Sequence, residues 1–269
     1  MLLKDKIALV TGAGRGIGLG IAERFAKEGA RIIIADRDGA SLDKSAGNLV
    51  ASGIDVLAVA ADLAVEAEVE RLFQRIQERY GALDILVNNA RQHVEGDHTS
   101  FLKLSSDVFN RIQAANLGML FYCTQRAARM MARQRHGSII NISTIGAVRV
   151  HRRRVATDTM KGAMDTFTRA VAVDLAPWGI RVNSLQPGTI ATDAFARLAP
   201  EEQKRRTAAI PLGRIAWPAD VAWACVFLAS DEAGFVTGQA IQLDGGLLAA
   251  ARSPQAELEP VIGPDDIAL

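Results

Sequence analysis

Short, continuously apolar runs alternate with amphipathic stretches along almost the whole chain. This alternation constrains the fold more than any other feature of the sequence. The runs fall at Ile7–Val10, Arg31–Ala35, Asp55–Ala60, Leu83–Asn88, Ser138–Ile142, Arg181–Leu185 and Ala240–Leu243. Segments such as Asp-Ile-Leu-Val-Asn-Asn and Ser-Ile-Ile-Asn-Ile-Ser have no polar alternation, so they read as strands buried on both faces, within a parallel sheet covered by helices. Helical patterns fill the gaps: Gly18–Glu28, Gly39–Ser52, Val65–Tyr80, Asp107–Arg133, Thr157–Ala176 and Ala219–Ser230. Strand–helix repetition of this kind implies right-handed βαβ units. The expected fold is α/β: a three-layer, doubly wound parallel sheet of about seven strands, in one domain spanning residues 1–248.

The bulk properties fit that expectation. A chain of 269 residues with 49% hydrophobic and 23% charged residues can fill one α/β core. The formal charge of +1 gives no general attraction for nucleic acid or for an acidic membrane surface. Cys123 and Cys225 lie in apolar helical contexts and read as buried thiols, as expected in a reducing cytoplasm. Lys4 and Lys6 interrupt the N-terminal apolar stretch, so no secretory leader is expected, and no run approaches the length of a membrane span. No metal site is expected.

Two segments break the rhythm. Residues 189–212 lack a strand pattern and contain Pro200 and Pro211. They are expected to form small helices over the C-terminal edge of the sheet, as a substrate lid. Residues 249–269 contain three prolines and no period. They read as a flexible tail or a strap onto a neighbouring subunit.

The run Thr11-Gly-Ala-Gly-Arg-Gly-Ile-Gly18 follows a strand and opens a helix. In that context glycines allow a tight turn and close approach to a pyrophosphate, while the helix N-terminus offers unpaired N–H groups. Gly12, Arg15, Gly16, Ile17 and Gly18 are therefore candidate cofactor-binding residues. Asp36 ends the second strand eighteen residues after Gly18. A carboxylate there accepts from a ribose diol and repels a 2′-phosphate, which favours NAD over NADP. Arg15 and Arg37 pull the other way.

The spacing Gly12-x-x-x-Gly16-x-Gly18, the Asn88-Asn89-Ala90 run after the fourth strand, Lys161 and Pro187-Gly188 together resemble the short-chain dehydrogenase/reductase family over roughly residues 5–246. The resemblance implies a Rossmann-type fold, a nicotinamide cofactor and oxidoreductase chemistry. It also implies that Asp62 and Leu63 meet the adenine. Asn89 would meet the cofactor, and Pro187, Gly188 and Thr192 the nicotinamide carboxamide. For the catalytic set it implies Asn116 as the holder of a relay water and Lys161 as the grip on the nicotinamide ribose. Thr144, thirteen residues before Thr157, matches the position that bonds the substrate oxygen, with Ser143 as its alternative. The last strand would pack across a two-fold axis in a dimer or tetramer.

Three positions depart from the pattern. Arg91 replaces the glycine that follows Asn-Asn-Ala, where it either swings outward or crowds the cofactor. Thr144 replaces a serine of the same hydrogen-bonding capacity. Thr157 stands where the family places its proton-donating tyrosine. An aliphatic hydroxyl is far too weak an acid for that role, and loss of general acid catalysis removes roughly 10²–10⁴-fold in rate. His93 and His151 are candidate substitutes; His98 and His136 carry no case. The basic run Arg149–Arg154 reads either as a solvated loop or as an anion site, for an acyl-CoA phosphate or a partner's acidic face.

The expected function is that of an NAD(P)-binding member with an impaired site, a non-catalytic or weakly active subunit in a homo- or hetero-oligomer with an active homologue. The alternatives are an active NAD-dependent alcohol dehydrogenase or ketoreductase with a proton donor other than tyrosine and, third, a lyase or isomerase reusing the pocket.

Overall fold

A computed structural model describes residues 1–252 and Pro254. Seven strands form one parallel sheet: β1 (Ile7–Thr11), β2 (Arg31–Asp36), β3 (Val56–Ala60), β4 (Ile85–Asn88), β5 (Gly137–Ile142), β6 (Ile180–Pro187) and β7 (Ala240–Leu243). Their order is β3-β2-β1-β4-β5-β6-β7, and every adjacent pair is parallel. The crossovers carry helices α1 (Gly16–Lys27), α2 (Gly39–Ala51), α3 (Glu66–Tyr80), α4 (Ser106–Gln134) and α5 (Val155–Leu175), and α8 (Pro218–Ala229) precedes β7. The expected α/β sheet is therefore present, with element ends shifted by one or two residues. Shifts of two residues fall at the start of β4, at the end of β6 and at the N-termini of α1 and α5, where the glycine turn ends at Gly16 and the loop after β5 closes into helix two residues before Thr157.

The apolar strands are buried on both faces, as their composition requires. In β2, Ile32 and Ile34 pack with Ile21 and Phe25 of α1 and with α8, whereas Ile33 and Ala35 pack with Leu72 and Ile76 of α3 and with α4. A third, smaller cluster joins Val94 of the loop after β4 to Ile112 and Leu120 of α4 and to Met160 and Met164 of α5. That cluster anchors the loop that carries Arg91.

Helix ends follow the local chemistry. Asp38 caps α2 by accepting from the Ser41 N–H at 3.1 Å, and Ser105 caps α4 through Val108 N at 3.2 Å. The N-terminus of α1 has no side-chain cap. The sheet order reverses between β1 and β4, and the crevice at the C-terminal ends of these strands is where such folds bind ligands. Residues 189–212 form two short helices, α6 (Asp193–Ala196) and α7 (Pro200–Ala208). Most of the C-terminal tail, from residue 255 on, lies outside the described residues. Among the described residues no helix is long and apolar enough to cross a membrane. Both thiols are buried and free, and burial raises the pKa of each, that of Cys123 to about 12.

Candidate active site

The glycine loop is shaped by close backbone approach. Gly12 has φ +63°, and a Cβ there would lie 2.7 Å from Ala90 Cα. A Cβ on Gly18 would run into the Gly12 carbonyl and the Asn89 amide. The Asn89 side chain fixes this contact by donating to the carbonyls of Thr11 (2.9 Å) and Gly12 (3.0 Å). Asp36 braces the loop from the next strand. Its Oδ2 accepts from Gly14 N at 3.0 Å and its Oδ1 from Asp38 N at 3.1 Å. Each oxygen keeps a lone pair for a ligand hydroxyl.

A groove of about 200 Å³ opens beside this loop. Gly12, Arg15, Asp36, Arg37, Asp62, Leu63 and Asn89 line it, together with Ala90, Arg91, Gln92 and Met119. Seven of the residues anticipated for the cofactor thus meet in one place. Asp62 also makes a local turn by accepting from Ala64 N at 3.0 Å. Gly16, Ile17 and Gly18 form the uncapped first turn of α1. Pro187 and Gly188 lie at the end of β6, away from the groove lining, whereas Thr192 faces the glycine loop, with its Cγ2 4.0 Å from the Cβ position of Gly16. The residues present fit a dinucleotide: a cradle that side chains would fill, free N–H groups at a helix start, and a carboxylate at the ribose position.

The other end of the cleft is built differently. Arg91 lines the groove and stays partly exposed, while one edge of its guanidinium bonds to the loop after β4 and to α5. Its Nη2 donates to Asp97 Oδ2 at 2.9 Å and to Thr157 Oγ1 at 3.1 Å. The Thr157 hydroxyl in turn donates to the same Asp97 oxygen at 2.6 Å. Asp97 is buried to 1% side-chain exposure, and Arg91 keeps 35%. The three side chains form a closed ring of charge-assisted bonds, and the proton of Thr157 is committed to Asp97. Asp97 Oδ1 is buried without a partner, so the ring does not fully satisfy its carboxylate.

Lys161 lies one turn along α5 and is 7% exposed. Its Nζ donates to the Ile142 carbonyl at 2.6 Å. Burial first, and the Arg91 charge second, push its pKa down to about 7, against a smaller pull from Asp165. Asn116 is buried, and its carboxamide is committed to the loop. Oδ1 accepts from Gln92 N at 2.9 Å, while Nδ2 donates to Gln92 O at 3.1 Å and to Ile112 O at 2.9 Å. Asn116 thus pins the residue next to Arg91. Thr144, half-buried, accepts from Gly146 N at 3.2 Å and keeps its own proton free to donate. Ser143 is buried and turns its hydroxyl to Lys161 O at 3.4 Å. Of the two, Thr144 is the better placed to meet a ligand oxygen.

The histidines divide. His151 is anchored by the buried Asp158, which accepts from its backbone N at 2.5 Å and lies 3.2 Å from its Nδ1. His93 and His98 stack edge to face with centroids 6.1 Å apart. Partial burial, and then the charge of Arg154, lower the pKa of His98. Sequence reading gave no role to Asp97 or Asp158. A lone acid in a loop shows its partner only after the loop has folded, and no spacing rule links Asp97 to Thr157.

The matching family model is described as enoyl-(acyl carrier protein) reductase and covers residues 12–248. The L-rhamnose 1-dehydrogenase (NAD(P)(+)) of Azotobacter vinelandii is 38% identical over 254 residues, 92% of this chain and 98% of that one. Among solved structures, a gluconate 5-dehydrogenase from Burkholderia cenocepacia in complex with NADP and tartrate aligns with a TM-score of 0.85. It is 32% identical and covers 93% of this chain and 97% of its own. An NAD+-bound xylitol dehydrogenase aligns with a TM-score of 0.84 at 27% identity, covering 91% and 100%. With the glycine loop, the sheet order and the Lys161 position, these matches place the chain in the short-chain dehydrogenase/reductase family of oxidoreductases.

Proposed function

We propose that this chain is an NAD(P)-binding short-chain dehydrogenase/reductase with an impaired oxidoreductase site, and that it serves as a non-catalytic or weakly active subunit beside an active homologue. The observation that carries this reading is the ring of Arg91, Asp97 and Thr157. It occupies the proton donor's end of the cleft with a permanently charged guanidinium and a hydroxyl whose proton is already engaged. Gly12, Asp36, Asp62 and Asn89 are the residues that would hold the dinucleotide, and Asp36 favours NAD. When bound, the cofactor supplies or accepts a hydride; the protein's part is to orient the substrate oxygen and exchange its proton. Thr144 can orient the oxygen, and neither Arg91 nor Thr157 can replace a tyrosine as the proton donor.

The subunit reading is supported by large apolar side chains left exposed on helices. Phe121 of α4, Val173 of α5 and, one turn apart on α8, Trp223 and Phe227 are such residues. These faces suit a homo- or hetero-oligomer with other members of the family. A cytoplasmic location fits the two buried, unpaired thiols.

A second reading, an active dehydrogenase, is favoured by one observation. An amine held near neutral pKa is itself a competent general acid–base group, and Lys161 is such an amine. The rhamnose, gluconate and xylitol proteins that resemble this chain are all dehydrogenases by name. The test is a titration with NADH followed by tryptophan fluorescence, turnover on a panel of ketones and sugars, and co-purification with a family homologue expressed in the same cells. The subunit reading expects NADH binding, a stable mixed oligomer and turnover about 10²-fold or more below an active homologue. Full turnover that collapses in Lys161→Ala would instead establish the active dehydrogenase.

A further inference from the structure

The loop that joins β5 to α5 carries the basic run at 149–154 on its outer side. Residues 148–153 are exposed, Val148 at 59% and Val150 at 73%, whereas Arg154 is half-buried at the N-cap of α5. Two bonds fix the loop. Arg149 N donates to Ile145 O at 2.8 Å, and His151 N donates to the buried Asp158 at 2.5 Å. Among the described residues Arg149, Arg152 and Arg153 form no ion pair. Asp158 and Asp244 are the carboxylates that bond to the segments meeting here, and counting both against the four arginines of the run leaves two positive charges.

The root of the C-terminal segment lies against this loop: Arg149 Nη1 donates to Leu247 O at 3.3 Å. Asp244 accepts from Gly246 N at 2.9 Å and Leu248 N at 2.8 Å, and Ala250 N donates to Gly246 O at 3.0 Å, so the chain is held here up to Ala250. Beyond Arg252 the sequence carries Glu257, Glu259, Asp265 and Asp266 and no Lys, Arg or His. Apolar residues such as Leu258, Val261 and Ile262 lie between these acids. An extended chain spans about 3.5 Å per residue, so Glu257, seven residues past Ala250, can reach about 25 Å. Arg152 and Arg153 lie at most about 15 Å along the chain from Arg149. Length therefore does not limit contact between the acids and the loop.

We propose that the exposed face of the loop at 148–153 is a docking surface for this chain's own acidic C-terminal segment, residues 255–269. The acids of the segment meet Arg149, Arg152 and Arg153, and its apolar residues meet Val148 and Val150. The guanidinium fork matches a carboxylate with two parallel N–H bonds. A short tether gives an effective concentration in about the millimolar range, so individually weak contacts suffice. Because this loop runs from Thr144 to Thr157, the docked segment sits at the chemical end of the cleft. The docking holds whether or not the site turns over a substrate.

The test is cleavage of the full chain at the Glu257–Leu258 bond by a glutamate-specific protease in low-salt buffer. Mass spectrometry reads the rate against a synthetic peptide of residues 250–269, present in the same tube at trace concentration. Docking should slow the cut about fivefold relative to the peptide, the order that a few exposed ion pairs supply together. Arg149→Gln with Arg152→Gln and Arg153→Gln should abolish the slowing. So should about 1 M salt, where screening shortens the reach of a charge to about 3 Å. Arg71→Gln with Arg75→Gln and Arg133→Gln removes the same charge from other exposed positions and should retain the slowing. Asp265→Asn with Asp266→Asn, which leaves the folded domain unaltered, should lose part of it. Circular dichroism checks that each variant is folded. Cleavage as fast as that of the peptide, or equal rates in the two arginine triples, would overturn the assignment. Slowing that grows with protein concentration would also overturn it, by assigning the segment to the loop of a second copy.

Discussion

At the nucleotide end of the cleft, polar side chains hold backbone and leave a groove open. Asp36 braces Gly14, and Asn89 braces Thr11 and Gly12, with a space of about 200 Å³ beside them. At the chemical end, polar side chains hold one another. Arg91, Asp97 and Thr157 bond to one another, so the Thr157 hydroxyl at the tyrosine position is already engaged. The two ends share one sheet edge and one loop, yet differ in how their polar groups are spent. In the proposed function, the scaffold keeps the recognition half of the site while its reactive half serves as a structural contact.

The largest expected effect comes from reopening the chemical end. Arg91→Gly combined with Thr157→Tyr should raise ketone-dependent NADH oxidation by about 10²-fold or more, the range general acid catalysis contributes. Thr157→Tyr alone should gain far less, because the Arg91–Asp97 pair still fills the space. Equal gains in the single and double variants would show that Arg91 does not block the site.

Next is the stability of the pair itself. Arg91→Ala leaves Asp97 buried and uncompensated. Losing one partner of a buried ion pair costs about 3–5 kcal/mol. Because Arg91 is a third exposed, we expect about 2 kcal/mol, read as a lower urea midpoint. Arg91→Ala with Asp97→Asn should recover most of that loss.

A smaller, graded effect concerns Lys161. Its folded pKa lies near 7, below the unfolded value of about 10.4, so between these values the unfolded state binds more protons. Stability should therefore rise with pH across this window, by at most about 1.4 kcal/mol per pH unit. Lys161→Met should flatten the rise. An unchanged slope in that variant would assign it to other groups.

The smallest effect tests the nucleotide end. Asp36→Ala removes the carboxylate that repels a 2′-phosphate and leaves Arg15 and Arg37 in the groove. The ratio of NADPH to NADH affinity should rise several-fold, measured by fluorescence titration. An unchanged ratio would mean that the arginines already dominate cofactor choice.

How legible each end was in the sequence follows the same division. The strands and the glycine loop depend on local rules, continuous apolar runs and backbone turns, and they lie within a residue or two of where those rules place them. The positions of Asn116, Thr144, Thr157 and Lys161 were readable because resemblance fixes them along the chain. What these side chains do was less readable. Arg91 was recognised as foreign to its position, but its acceptor Asp97 carries no signature, since the loop from Gln92 to Asp97 takes its shape from Val94 in the third core cluster and from Asn116. Likewise, nothing in the run Arg149–Arg154 marks Arg154 as the inward member. Its place at the helix cap decides that.

Arg91 and Asp97 lie only six positions apart in one loop. Both charges therefore travel together when that segment is exchanged, and neither is introduced without its partner.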